Sequence, residues 1–164
     1  MSPVVHDGIA KLPTDDQQAL VEYVASLMGT NDAGKRGEAA ATNALAINAG
    51  PDSARFDADA RLYGAACASC HYNGAGRINP GRPDLALNSA IHLPSPANLI
   101  RVILFGVDAK TGMPGVVMPA FHGALSDEEI ARIAAYLRRT RTNLAPWPEL
   151  EKQVREIREQ GPGA

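Results

Sequence analysis

The sequence predicts an all-α fold, on three observations. Apolar residues recur at spacings of three and four wherever a pattern is clear. Several such segments are bracketed by helix punctuation, with a hydroxyl or proline before them and a glycine after. No run alternates apolar and polar residues over the length of a strand.

Residues 13–28 read as the first helix. Thr14 is a good N-cap, Gln17 completes a capping box, Leu20, Val21, Val24 and Leu27 make an apolar stripe, and Gly29 closes it. Residues 29–52, rich in Gly, Ala, Asn and Asp, read as a linker in which Glu38 to Ile47 alone has helical character. A second helix is expected from about Ser53 to Cys70, because Phe56, Ala60, Tyr63, Cys67 and Cys70 fall on one face. A Gly- and Pro-rich loop follows from His71 to Asp84, then a short helical turn within Asn88 to Leu93. Ser95 as N-cap, Pro96 at the first helical position and Gly106 beyond the end bracket a helix that is apolar nearly all round. Residues 107–125 form a second loop, carrying Met113 and Met118. Ser126 and Glu129 form a capping box for the next helix, whose stripe is Ile130, Ile133, Ala134 and Leu137 and whose closing Arg138, Arg139 and Arg141 complement the dipole. Pro146 and Pro148 break the chain around Trp147, and a last amphipathic helix carries Leu150, Val154 and Ile157.

Bulk properties exclude several functions. The 164 residues carry 16 basic and 18 acidic side chains, a net charge of −2, which excludes nucleic-acid binding driven by charge. No apolar stretch reaches the length of a membrane span, and the N-terminus lacks the apolar core of a signal peptide.

The chemistry sits in Cys67-Ala68-Ser69-Cys70-His71, a C-x-x-C-H sequence. Thiols at i and i+3 share one side of a helical turn, so each can form a thioether with one vinyl group of a porphyrin. His71 can then offer an imidazole nitrogen to the iron. A redox thiol pair of this spacing calls for a βαβ context, and a zinc site calls for more ligands than the two cysteines provide. One covalently bound haem c is the expected cofactor. It also answers a packing problem: aromatics make up 5% of the chain, and a porphyrin supplies apolar bulk that a domain of about 85 residues needs.

The sixth iron ligand decides between carrier and catalyst. Met118, in Val117-Met118-Pro119-Ala120-Phe121, is the expected thioether. Met113, in Gly112-Met113-Pro114, is the alternative, and His92 or His122 would give bis-histidine ligation. Methionine also serves as ordinary core filler.

From about Arg55 to Arg139 the chain resembles a class I cytochrome c domain: an amphipathic helix into C-x-x-C-H, a loop with Pro83-Asp84-Leu85, a methionine-proline, and a capped helix containing Tyr136. The resemblance implies that the Pro83 carbonyl accepts the His71 ring N–H, which fixes the tautomer. It also implies crosswise packing of first and last helices, with Phe56 and Tyr63 against Ile133 and Tyr136. Asn98 to Gly106, Met118 to Phe121, Leu125 to Asp127 and the tail Asn143 to Arg158 are similar to the multihaem cytochrome c subunits of bacterial membrane-bound dehydrogenases of the alcohol, gluconate, aldehyde and nicotinate type. That similarity implies an electron-transfer domain or subunit rather than an enzyme. Its donor would be a dehydrogenase subunit, its acceptor ubiquinone, an oxidase or another cytochrome, and its place the periplasmic side, held at the membrane through partners. One haem motif instead of several is a departure from that pattern. The competing reading is a haem enzyme or gas sensor with an exchangeable sixth ligand, for which no distal histidine–arginine pair stands out. Arg77, Arg82 and Arg101 are candidates for haem propionates or an acidic docking surface, and equally for solvated charges.

The chain also matches itself. Residues 12–24 align with 125–137 at a constant offset of 113: leucine meets leucine, Asp15 and Asp16 meet Glu128 and Glu129, and Tyr23 meets Tyr136. The expected organisation is therefore residues 1–28 as the tail of a preceding haem domain, with Met1 where its axial methionine stood. Residues 29–52 form a linker, 53–141 the cytochrome c domain, and 142–164 a C-terminal extension. The alternative makes 1–28 a plain amphipathic helix covering this domain's own surface.

Overall fold

The computed structural model describes residues 8–27, 32–48, 57–71, 84–107 and 117–162. Six α-helices run through them: α1 (Thr14–Leu27), α2 (Asp32–Asn48), α3 (Ala58–Ala66), α4 (Ala97–Phe105), α5 (Asp127–Arg141) and α6 (Leu150–Gln160). Single 3-10 turns occupy Ile9–Lys11, Leu85–Leu87 and Ser89–Ile91. Among the described residues there is no strand, only one isolated antiparallel bridge between Val107 and Met118. The all-α expectation holds.

The core forms where α3, α4, α5 and α6 meet. Its fully buried large side chains are Ile91, Ile100, Leu104, Ile130, Ile133 and Val154. All but Ile91, which sits in the turn Ser89–Ile91, come from helix faces, where residues three and four apart fall together. α5 opens with the expected capping box: Ser126 Oγ accepts from Glu129 N at 3.2 Å, and Glu129 Oε2 accepts from Ser126 N at 2.8 Å. At the start of α4, Pro96 has helical dihedrals (φ −79, ψ −4) and Ser95 Oγ accepts from Ala97 N at 3.3 Å.

Three elements depart from expectation. α2 is a full helix within the segment read as a linker, extending upstream of Glu38. Its weak periodicity hides a run of alanines, the residue with the highest helix propensity. α3 begins later than Ser53, with Asp57 as N-cap accepting from Asp59 N at 2.8 Å, and ends at Ala66. Beyond it the backbone tightens into turns rather than continuing to Cys70. In α1, Gln17 does not complete the expected capping box; its side-chain amide donates to the Leu12 carbonyl at 2.8 Å.

α1 also has no buried residue. Leu20, Val21, Tyr23 and Val24 are 39, 62, 62 and 51% exposed, whereas the residues aligned with them, Ile133, Ala134, Tyr136 and Leu137, are 1, 0, 7 and 3% exposed. The apolar face of α1 thus does not serve as core for this domain.

The arginines closing α5 do more than complement its dipole. Arg138 is buried: its Nε donates to the Ala145 carbonyl at 3.0 Å, its Nη1 to the carbonyls of Ile91 and Leu93, and its guanidinium lies 4.4 Å from the Trp147 ring centre. Trp147 Nε1 donates to the same Leu93 carbonyl at 3.0 Å. The Pro146–Pro148 segment is thereby pinned to the turn before α4, which brings α6 back across α4 and α5. Among the described residues no helix is long and apolar enough to cross a membrane.

Candidate functional site

The C-x-x-C-H sequence sits at the exit of α3. Cys67 N and Ala68 N both donate to the Tyr63 carbonyl, at 2.8 and 3.1 Å, so the last α turn widens as the helix ends. Cys70 N and His71 N then donate to the Cys67 carbonyl at 3.1 and 2.9 Å. This closed turn keeps the two thiols at consecutive corners and places the imidazole directly after them. The two cysteines are not joined to each other; Cys67 is half-buried and Cys70 exposed. Burial, and secondarily the neighbouring Cys70, push the Cys67 thiol up to about 11 before any bond is made to it.

Tyr63 anchors this turn from within the core. Its hydroxyl donates to the His71 carbonyl at 2.7 Å. Its ring packs 5.1 Å from that of Tyr136, the α3–α5 contact expected between the first and last helices. Phe56 lies outside the described residues. Burial raises the Tyr63 phenol to about 12, so it remains a donor across the physiological range. Outside the core, Arg132 Nε meets Asp59 at 2.7 Å, and Arg139 bridges Asp57 and Asp59, a second clasp of α5 onto α3.

Met118 reaches the same core from the opposite side of the chain order. It is half-buried and packs against the cluster that Cys67 also touches. Its backbone exchanges two hydrogen bonds with Val107, at 3.0 and 2.9 Å. Phe121 N and His122 N donate to the carbonyls of Ile103 and Leu104, at 3.1 and 3.0 Å, stitching the segment to the end of α4. Gly106 makes this approach possible. It lies at φ +73, and a Cβ built there would stand 2.4 Å from the Met118 carbonyl oxygen and 2.9 Å from Ala120 N. The sequence marks Gly106 only as a helix stop; the close passage of the methionine segment over it becomes visible in three dimensions.

The other candidates fall elsewhere. His92 is exposed, with its ring bound to the Ala86 carbonyl at 2.9 Å, and His122 is exposed as well. Arg101 donates to the Gly161 carbonyl and to Gln160 Oε1, at 3.1 and 2.7 Å, so it closes the end of α6. Pro83, Met113, Arg77, Arg82 and Met1 lie outside the described residues. The donor set that remains, two cysteines on one turn, an imidazole beside them and a thioether against the same core, is chemically suited to a haem c.

Comparison with known proteins agrees. The family model described as cytochrome c oxidase, cbb3-type, subunit III matches residues 54–137, half of the chain. The chain belongs to that cytochrome c family. Its cytochrome domain is 36% identical to cytochrome c6 of Gracilaria tenuistipitata var. liui, over 52% of this chain and 72% of that protein. Nearly the whole chain, 96%, is 33% identical to part of a nicotinate dehydrogenase subunit of Pseudomonas putida, covering 13% of it. A further 27% identity over 98% of the chain links it to 34% of the cytochrome c subunit of the quinone-type alcohol dehydrogenase of Gluconobacter oxydans. The chain thus spans about a third or less of these dehydrogenase relatives. Membership of the cytochrome family carries haem c with it as the cofactor.

Proposed function

We propose that this chain passes single electrons through one haem c held covalently by Cys67 and Cys70, with His71 and Met118 as the axial ligands of the iron. The observation that supports it most is the convergence of the C-x-x-C-H turn and the Met118 segment on one core, each tied down by its own backbone hydrogen bonds. Bound haem supplies a one-electron iron couple, which a thioether ligand tunes toward the ferrous state. The chain's own residues orient and shield it. Tyr63 holds the His71 backbone, the Val107–Met118 bridge aims the thioether, and the Pro83 carbonyl accepts the ring N–H of His71, as in the family. Met113 is the substitute ligand should Met118 not serve.

The dehydrogenase relatives support a role as the cytochrome part of a dehydrogenase complex, with a dehydrogenase subunit as donor; we further propose the periplasmic side as its place and ubiquinone, an oxidase or another cytochrome as acceptor. In this reading residues 53–141 form the cytochrome unit, 29–52 join it to what precedes, and 142–164 extend it. The self-match at an offset of 113 and the uncovered face of α1 support residues 1–28 as the closing helix of a second such unit. The test is a pair of variants of the haem-loaded protein. Met118→Ala is expected to lose the near-infrared sulfur–iron band, lower the reduction potential and admit carbon monoxide or cyanide, while Met113→Ala leaves all three unchanged. An exchange of the two behaviours transfers the role to Met113.

A further inference from the structure

The segment that follows Met118 is gripped from outside the cytochrome domain proper. Arg158, on α6, lies beyond residues 54–137 that the family match covers. Its guanidinium makes three contacts at once: Nε to Asp127 Oδ1 at 2.7 Å, Nη1 to the His122 carbonyl, and Nη2 to the Leu125 carbonyl at 2.9 Å. Those two carbonyls bracket the turn that carries the chain from Met118 into α5, and Asp127 opens α5. Just beyond it, at the same C-terminal end of α6, Arg101 of α4 donates to Gln160 and to the Gly161 carbonyl. Val154 and Ile157, on the turns of α6 that lead up to this polar end, are buried. α6 is therefore a splint, fixed to α4 by Arg101 and to the methionine segment by Arg158. A planar fork on two carbonyls and a carboxylate holds position and direction together, which a single ammonium cannot do.

We propose that Arg158 is a positioning residue for the Met118 thioether, and that the splint it completes limits how readily that sulfur leaves its place. The proposal rests on the reading of Met118 as an axial ligand. Leaving requires the stretch from Met118 to Leu125 to lift away. Its inner side is held by the bonds to Val107, Ile103 and Leu104, and its outer side by Arg158. Loss of the outer hold lowers the barrier to lifting while leaving the inner register intact. The sulfur still binds at equilibrium, but it departs more often.

The experiment follows imidazole entry to the ferric haem of the full, haem-loaded chain by stopped-flow absorbance, since the entering ligand must wait for the methionine to depart. Arg158→Gln is expected to raise the limiting entry rate about tenfold, the consequence of losing charge-assisted hydrogen bonds, with the near-infrared sulfur–iron band retained. Arg158→Lys is expected to fall between it and the wild type. Amide exchange at Met118 and Phe121 should quicken in parallel. Ile91→Val, a buried deletion in the turn Ser89–Ile91 that leaves the Arg158 contacts in place, serves as the stability control and should leave the entry rate unchanged. An Arg158→Gln rate equal to wild type, while Met118→Ala opens the iron, overturns the proposal and leaves the assignment of Met118 standing. An Ile91→Val rate as fast as that of Arg158→Gln assigns the effect to general loosening and also overturns it. If Met118→Ala itself fails to open the iron, the ligand reading falls and the proposal falls with it.

Discussion

Gly106 carries the strictest local demand of any residue in the site. Its φ of +73 disfavours any L side chain, and its missing Cβ leaves room for the Met118 carbonyl. Gly106→Ala therefore forces the methionine segment outward or strains the end of α4. The expected cost is about 1–3 kcal/mol in stability, together with a weakened sulfur–iron band in the haem-loaded protein. Chemical denaturation and near-infrared spectra check the two parts separately. A variant that melts like wild type with an unchanged band would mean that the segment does not pass over this glycine. The C-x-x-C-H turn was legible in the sequence because it is local, five consecutive positions whose spacing alone marks them. The demand on Gly106 was not, because the atoms it must avoid belong to residues 118–120, beyond an intervening loop.

At the scale of elements, the clasp between α3 and α5 depends on pH. Arg132, by a side-chain hydrogen bond, holds the Asp59 carboxyl below its ordinary value of 3.8; desolvation opposes it, and Arg139 adds a further lowering. A carboxyl with a depressed folded-state pKa stabilises the fold fully above its unfolded value, and the contribution disappears as pH falls through the folded one. The window thus lies at and below about pH 4. Asp59→Asn is expected to melt lower than wild type at neutral pH, and the gap should close by a few degrees on acidification into that window. Melting curves at neutral pH and about pH 3 provide the check, and a constant gap would remove Asp59 as the source. The helices themselves were largely legible: the capping box of α5 and the bracket of α4 are short-range signals that tertiary packing did not overrule. The end of α3 and the length of α2 were misjudged for opposite reasons. At α3, a tightened turn cut off a continuing apolar face; at α2, propensity without periodicity carried a helix through what composition marked as a linker. Arg138 shows the limit of local reading, since its carbonyl partners Ile91 and Leu93 lie 47 and 45 residues upstream and its ring partner Trp147 lies beyond the end of α5.

For the whole molecule, α1 and α5 are one pattern in two circumstances. In α5 the pattern is buried, with α2, α3, α4 and α6 packed around the helix; in α1 the matching face has nothing buried. Val21→Glu with Val24→Lys is therefore expected to change the stability of the cytochrome domain by less than about 0.5 kcal/mol, measured by denaturation of the haem-loaded chain. The same exchange in α5, at Ala134 and Leu137, should prevent folding, because both positions are sealed. A large loss from the α1 pair would show that its face is covered by this domain after all.

The bridge between Val107 and Met118 also acts as a check on phase. It is made of main-chain groups, so it tolerates drift in neighbouring side chains and is sensitive only to which residue stands opposite Val107. A slip of one place toward the C-terminus would call on Pro119, which has no N–H to give. A slip the other way would seat Val117 and turn the sulfur to the far side of the segment. The proline that follows the methionine thus works as a stop, closing one of the two ways in which the thioether could be threaded wrongly.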